Sequence, residues 1–161
     1  HHIAHDGQYS LYFRRRPSPP TRLGPGSAAG LTPDAKFVLA STLSGENRGL
    51  TLLPVGAGKA PALDLRGVVY KGNPGAAVHF SSDGRRFAFI GAKPGEERAA
   101  WVLDLGDGVT RKVSPAGADI AVISPDGEKV AVSDPSRGMY VVSSAGTVPV
   151  PGAPKADAPL Q

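Results

Sequence analysis

A ten-residue pattern that occurs three times constrains the fold of this 161-residue chain more than any other feature. The copies are LTPDAKFVLA at 31–40, FSSDGRRFAF at 80–89 and ISPDGEKVAV at 123–132. Their aspartates, Asp34, Asp83 and Asp126, are 49 and 43 residues apart. Spacings of about 40 to 50 residues are typical of repeat proteins whose unit is one small sheet. The sequence therefore predicts a repeat architecture.

Each copy of the pattern predicts a β-hairpin. Asp-Gly between two apolar runs is a strong turn signal, because glycine accepts positive φ and aspartate bonds the backbone two residues on. The first copy departs from this rule, since Ala35 stands where Gly84 and Gly127 stand in the others. If the position requires positive φ, alanine predicts a different turn type in the first hairpin.

Two further strand-like runs follow each hairpin, so that every unit is predicted to have four antiparallel strands. The runs are 50–55 and 60–65, 100–105 and 109–113, and 139–142 and 147–150. Upstream, 9–14 and 20–23 resemble only the third and fourth strands of a unit, and 158–161 resembles the start of an inner strand. We therefore predict a partial unit at 1–24, whole units at 25–68, 69–115 and 116–151, and a linker with the start of another at 152–161.

The repeated pattern resembles the TolB-like β-propeller repeat, a relative of the WD-repeat propellers. The resemblance rests on Thr32-Pro33-Asp34, Ser82-Asp83-Gly84 and Ser124-Pro125-Asp126-Gly127. It also rests on the aromatic third-strand residues Tyr12, Trp101 and Tyr140, a position where Thr51 departs. Residues 9–40 look most like the propellers attached to bacterial serine/threonine kinases, which act as sensors or scaffolds.

This resemblance implies an all-β, incomplete propeller of about three full blades and two partial ones. Its inner strands near 27–32, 76–81 and 119–124 would line a central channel, and Tyr12, Trp101 and Tyr140 would pack between blades. An extracytoplasmic location is slightly favoured by the same resemblance. Closure of such a ring normally takes four to eight blades.

Residues for catalysis are not found in a productive pattern. The chain has no cysteine and no Gly-x-Ser-x-Gly elbow, so neither a thiolate site nor this type of serine hydrolase is indicated. Of the histidines, His1 and His2 resemble a tag remnant, and His79 is interpreted as packed between blades. Asp83 and Asp126 are interpreted as structural turn residues. We predict no enzyme activity, cofactor or metal for these residues.

The charge pattern says little about partners. The formal net charge is +4 and the isoelectric point is near 9.6, but basic residues are scattered apart from Arg14, Arg15 and Arg16. With Arg22 these are interpreted as a charged sheet edge that prevents strand pairing. The pattern argues against a nucleic-acid partner. No apolar run approaches the roughly 20 residues that span a bilayer, so we expect no membrane insertion.

The sequence thus predicts a non-catalytic binding, sensor or scaffolding module that recognises a protein, peptide or small ligand at one rim or the channel mouth. Inner-strand entrances are the candidate contact sites: Ser27, Lys71, Asn73, Ala76 and Asp119. One alternative is a substrate-gating or regulatory propeller of a larger enzyme, of the prolyl oligopeptidase or serine/threonine kinase type. Another is a structural role in an assembly.

Overall fold

The computed structural model describes residues 2–5, 8–44, 47–72 and 77–151, and these ranges form an all-β protein. Their strands make four small antiparallel sheets in chain order. Within these ranges there is no helix, and therefore no helix long and apolar enough to cross a membrane. The prediction of an all-β chain of small antiparallel sheets is confirmed.

The strands follow one another along the chain, and each sheet is built from neighbouring segments. Sheet 1 contains β1 (His2–His5), β2 (Gln8–Phe13) and β3 (Thr21–Pro25). Sheet 2 contains β4 (Ser27–Leu31), β5 (Phe37–Ser44) and β6 (Asn47–Pro54). Sheet 3 contains β7 (Val69–Tyr70), β8 (Arg86–Ala92), β9 (Ala99–Asp104) and β10 (Val109–Lys112). Sheet 4 contains β11 (Ile120–Ile123), β12 (Lys129–Asp134), β13 (Gly138–Ser143) and β14 (Gly146–Pro149).

Both faces of the central sheets are buried, because successive side chains of a strand point to opposite faces. On β8, Phe87 and Phe89 join the core shared with sheet 2, whereas Ala88 and Ile90 join the core shared with sheet 4. A third, smaller core packs Leu11 of sheet 1 against sheet 2. Sheets 1 to 4 therefore stack face to face in sequence order.

The prediction of four strands in each whole unit holds for sheets 3 and 4 but not for sheet 2. Residues 60–65, predicted as the fourth strand of the second unit, form no strand. Pro61 has no N–H to donate to a ladder. The segment instead places Ala60, Leu63 and Leu65 against the core between sheets 2 and 3, so apolar burial replaces strand pairing.

The start of the chain also differs from the prediction. His2–His5 forms a strand that pairs with β2, from His2 opposite Leu11 to His5 opposite Gln8. Sheet 1 thus has three strands rather than the two expected.

The inner strand of sheet 3 is divided rather than continuous over 76–81. Val69 and Tyr70 pair with the far end of β8, while Phe80 forms an isolated bridge with Phe87 at the near end. Residues 71, 72 and 77–79, between these two points, form no strand. Two predicted site residues, Asn73 and Ala76, lie outside the described residues.

The prediction of a different turn type for the first hairpin is wrong. Ala35 has a φ of 55°, close to the 71° of Gly84 and the 75° of Gly127. Its N–H donates to the carbonyl of Thr32, as that of Gly84 donates to Ser81. The shared hydrogen bonds of the hairpin therefore impose the same left-handed conformation on alanine.

Candidate binding cleft

The three hairpin turns share the same set of hydrogen bonds. In each turn the aspartate accepts two of them. In the first turn Asp34 Oδ1 accepts from Thr32 Oγ1 at 2.7 Å and from the Lys36 N–H at 3.0 Å. The hydrogen bond from Thr32, followed by that from Lys36, lowers the pKa of Asp34 below its usual value. Asp83 and Asp126 hold the equivalent bonds. Their predicted role as structural turn residues is confirmed.

Neighbouring turns are also joined to each other. The N–H of Ser82 in the second turn donates to the carbonyl of Pro125 in the third at 2.8 Å. Arg86 reinforces this junction, because its Nε donates to Asp104 Oδ2 and its Nη1 to Glu128 Oε1, each at 2.8 Å. The first turn adjoins the second, since a Cβ built at Gly84 would lie 3.4 Å from Pro33 Cδ. The three turns therefore form one row, which we call the turn rim.

A cleft of about 570 Å³ opens beside the first turn of this rim. Three segments line it: the end of β2 with the loop to β3, the first hairpin turn, and the loop after β6. These segments belong to sheets 1 and 2. We call this space the basic cleft. Its lining residues are Phe13, Arg15, Ser18, Pro19, Thr21, Asp34, Ala35, Lys36, Phe37, Pro54, Val55, Gly56, Ala57, Gly58 and Lys59.

The basic cleft combines apolar walls with an excess of positive charge. Arg15, Lys36 and Lys59 line it, against one carboxylate, Asp34. The Nζ atom of Lys36 lies 3.5 Å from Asp34 Oδ2, so these two side chains form an ion pair. Arg15 and Lys59 are exposed and make no ion pair within the part of the chain that the structure describes.

The arrangement suits an anionic ligand with apolar groups. The two unpaired cations offer charge-assisted hydrogen bonds to carboxylate or phosphate oxygens. Phe13, Phe37 and Val55, all half-buried, offer apolar contact. No three histidine, aspartate or glutamate side chains of the described ranges are grouped to hold a metal ion.

Three of the residues predicted to bind at the strand entrances lie in the described chain, and each belongs to a different sheet region. Ser27 begins β4 and is half-buried, whereas Lys71 follows β7 and is exposed. Asp119 precedes β11, where its N–H donates to the Ser133 carbonyl at 3.0 Å. Its Oδ1 is shielded from solvent and has no hydrogen-bond partner among the described residues. Ser27, Lys71 and Asp119 share no hydrogen bond or ion pair in that part of the chain.

The interpretation of His79 as a packed, hydrogen-bonded residue is wrong. Its side chain is exposed and has no hydrogen-bond partner in the described ranges. The third-strand aromatics fit their prediction better. Trp101 and Tyr140 are buried between sheets, and Tyr12 is half-buried.

Sequence reasoning missed the basic cleft as a site. Arg15 was noted only as part of a charged edge. The available signal was the occurrence of basic residues in two loops flanked by prolines and glycines. What the sequence did not show is that 13–21 and 54–59 lie together beside the first hairpin turn.

No protein-family model and no curated protein matches the chain. Its structure is similar to that of TolB from Acinetobacter baumannii, with a TM-score of 0.65 and 21% identity over 94% of this chain and 40% of that one. It is also similar to putative TolB from Agrobacterium tumefaciens, with a TM-score of 0.57 and 16% identity over 79% of this chain and 46% of that one. The chain thus spans less than half the length of each. This likeness supports the predicted TolB-like propeller and, at such identities, concerns the fold alone.

Proposed function

We propose that this chain is a non-catalytic recognition module of TolB-like propeller architecture that holds an acidic, partly apolar peptide segment of a protein partner in the basic cleft. The proposed blades are the four sheets, with boundaries near residues 25, 69 and 116. This proposal rests on Arg15 and Lys59, two cations without an ion-pair partner in the described chain, beside apolar walls in a cleft of about 570 Å³.

The size of the cleft favours a short segment rather than a broad protein surface. A volume of about 570 Å³ lies within the range of about 300 to 1,000 Å³ that is typical of ligand pockets. Loops supported by a rigid scaffold commonly carry recognition in such folds. Here the scaffold is the hydrogen-bonded first turn, which holds Lys36 and Phe37 in place.

The charge favours carboxylate-bearing segments. Arg14 and Arg16 flank Arg15 and are exposed, which extends the positive field beyond the cleft. Such a field raises the association rate of an acidic partner and makes binding sensitive to salt. A catalytic role has less support, because His79 has no acid or nucleophile bonded to it within the described residues.

The test uses fluorescence anisotropy with a labelled Glu-Phe-Glu-Leu-Glu peptide and a Lys-Phe-Lys-Leu-Lys peptide of the same apolar content. We expect the acidic peptide alone to bind. The double variant Arg15→Glu/Lys59→Glu is expected to weaken it by at least about tenfold, since each lost charge contact contributes about 1 kcal/mol or more. Amide shifts in 15N spectra should fall on 13–21 and 54–59.

The matched control is Lys93→Glu/Arg98→Glu, which makes the same charge change at exposed residues outside the cleft. Its affinity for the acidic peptide should stay close to that of the unaltered chain. Equal loss in both double variants, or binding of the basic peptide, would show that only net charge is sensed and would reject the cleft as the site.

The strand entrances remain a second proposed contact surface, formed by Ser27, Lys71, Asn73, Ala76 and Asp119. The unpartnered Oδ1 of Asp119 supports it. Replacement of Asp119 by Asn and of Lys71 by Ala without any change in partner affinity would count against this surface. The roles as a kinase sensor or as an enzyme-gating propeller rest on the sequence resemblance and stay predictions.

A further inference from the structure

A serine or threonine directly before a proline occurs four times in the chain, and only one of the four hydroxyls is left unbonded in the described ranges. The pairs begin at Ser18, Thr32, Ser114 and Ser124. Thr32 and Ser124 donate to the aspartates of their turns, and Ser114 is buried and donates to a backbone carbonyl. Ser18 is exposed, and its hydroxyl makes no hydrogen bond within the described residues. Ser18 is therefore the hydroxyl of this set that an enzyme can reach.

The segment that carries Ser18 is exposed and loosely held. Residues 14–20 form no strand, and all of them are exposed. Within the described chain, their one backbone hydrogen bond joins the N–H of Ser18 to the carbonyl of Arg15 at 2.7 Å. A protein kinase binds its substrate as a short exposed segment, and charged residues beside the acceptor contribute to its selectivity. The exposed arginines at 14–16 directly precede Pro17 and Ser18 and supply such charges.

Ser18 also lines the basic cleft, together with Arg15, Lys36 and Lys59. These three cations and one carboxylate, Asp34, give the lining a net charge of +2. A phosphate on Ser18 would add a charge of about −1.5 to −2 at pH 7 and three acceptor oxygens. It would neutralise the cleft and offer ion-pair partners to Arg15 and Lys59, the groups that the acidic peptide is proposed to use.

We propose that Ser18 is a phosphorylation site and that its phosphate occupies the basic cleft and excludes acidic ligands. In the reaction, Ser18 Oγ forms a bond to the γ-phosphorus of a nucleoside triphosphate held by a protein kinase. The bond from this phosphorus to the bridging oxygen breaks, the nucleoside diphosphate leaves, and the hydroxyl proton passes to a carboxylate of the kinase. Hydrolysis of the phosphate ester reopens the cleft. This inference rests on the proposed function, because it concerns the regulation of the same site.

The position of the phosphate is tested without any peptide ligand. Phosphoserine is encoded at position 18, and 31P NMR follows its titration in the folded chain and in a phosphorylated peptide of residues 13–22. The second pKa of a phosphoserine is about 6. We expect this pKa to be lower by at least about 0.5 in the folded chain, because Lys59 lines the cleft and is absent from the peptide. Lys59→Ala should remove most of this difference, and an equal pKa in the folded chain and the peptide would overturn the inference.

The effect on binding is measured by fluorescence anisotropy with the labelled Glu-Phe-Glu-Leu-Glu peptide. Phosphoserine at position 18 should weaken binding by at least about tenfold. The matched control carries phosphoserine at Ser144, an exposed residue outside the cleft, and should bind like the unmodified chain. No weakening by the phosphate at 18, or equal weakening by the two phosphates, would overturn the inference. Failure of the unmodified chain to bind the peptide would reject the proposed function, whereas a lowered phosphate pKa would still support occupancy of the cleft.

Ser18 is tested as an acceptor with ATP, Mg²⁺ and a proline-directed serine kinase. Mass spectrometry of fragments is expected to locate phosphate at Ser18 in the folded chain and none in this segment of the Ser18→Ala variant. The peptide of residues 13–22 is the control for recognition by the kinase. Phosphorylation of this peptide but not of the folded chain would show that the hydroxyl is inaccessible and would overturn the proposal. So would phosphorylation of Ser114 or Ser124 in preference to Ser18.

Discussion

Substitution of Ala35 by glycine should stabilise the protein, although it removes a methyl group. Ala35 has a φ of 55°, in the left-handed region that side chains with a Cβ avoid. Glycine occupies the same position in the other two hairpins, at φ values of 71° and 75°. The turn hydrogen bonds are the same in all three, so the change relieves strain without altering the hairpin.

The magnitude follows from two opposing effects. The left-handed conformation costs a residue with a Cβ about 1 to 2 kcal/mol. The greater freedom of glycine in the unfolded chain offsets about 0.4 to 1 kcal/mol of this gain. The free energy of unfolding should therefore rise by about 0.8 kcal/mol, the middle of the resulting range, which for a chain of this length raises the Tm by about 2 to 3 °C.

Thermal unfolding followed by circular dichroism measures the effect. The reciprocal control is Gly84→Ala, whose added Cβ would meet Pro33 Cδ at 3.4 Å, an ordinary contact distance. It should therefore lower the Tm by a similar amount through backbone strain alone. A lower Tm for Ala35→Gly, together with an unchanged Tm for Gly84→Ala, would refute the assignment of left-handed strain to this turn.

Three further predictions concern buried polar contacts. Burial acts to raise the pKa of Asp134, but hydrogen bonds from Ser136 and Arg137 outweigh it and lower the pKa to about 2. Its stabilisation, about 2 kcal/mol, is present above pH 4 and lost as the pH falls toward 2, so Asp134→Asn should destabilise at pH 7 but little at pH 2. Arg86→Gln should lower the Tm more than Glu128→Gln, because it removes the 2.8 Å ion pair with the buried carboxylate of Asp104, whereas Glu128 is 63% exposed. Trp101→Phe should cost about 1 to 3 kcal/mol, since it removes the hydrogen bond from Nε1 to a buried backbone carbonyl.

Each of these has a result that contradicts it. The prediction for Asp134→Asn is contradicted if the variant is less stable than the unaltered chain by the same amount at pH 7 and at pH 2. For Arg86 the contradicting result is an equal loss of Tm in the Arg86→Gln and Glu128→Gln variants. For Trp101→Phe, the comparison is Tyr140→Phe, which removes a buried hydroxyl that is not hydrogen-bonded to a backbone carbonyl of the described chain. A loss of stability in Trp101→Phe no greater than that in Tyr140→Phe would contradict a contribution from the Nε1 hydrogen bond.

Local features of this fold are determined by the sequence alone. The three hairpins follow from a hydroxyl residue, an aspartate and a residue in the left-handed conformation, whose hydrogen bonds span no more than five residues. A continuous apolar run such as that of 87–92 determines that both faces of a sheet are buried. Such short-range interactions do not depend on where other sheets lie, and for this reason they are readable without the structure.

Only the tertiary structure decided the features that depend on distant segments. Residues 60–65 have an apolar pattern suited to a strand, but they cover the core between sheets 2 and 3 instead. The strand pairing of His2–His5 and the divided inner strand of sheet 3 likewise depend on which edges are free. The basic cleft exists because the stacking of sheets 1 and 2 brings the loops holding Arg15 and Lys59 to the same turn. Their separation of 44 residues along the chain carries no signal of that proximity, since packing rather than local hydrogen bonding creates it.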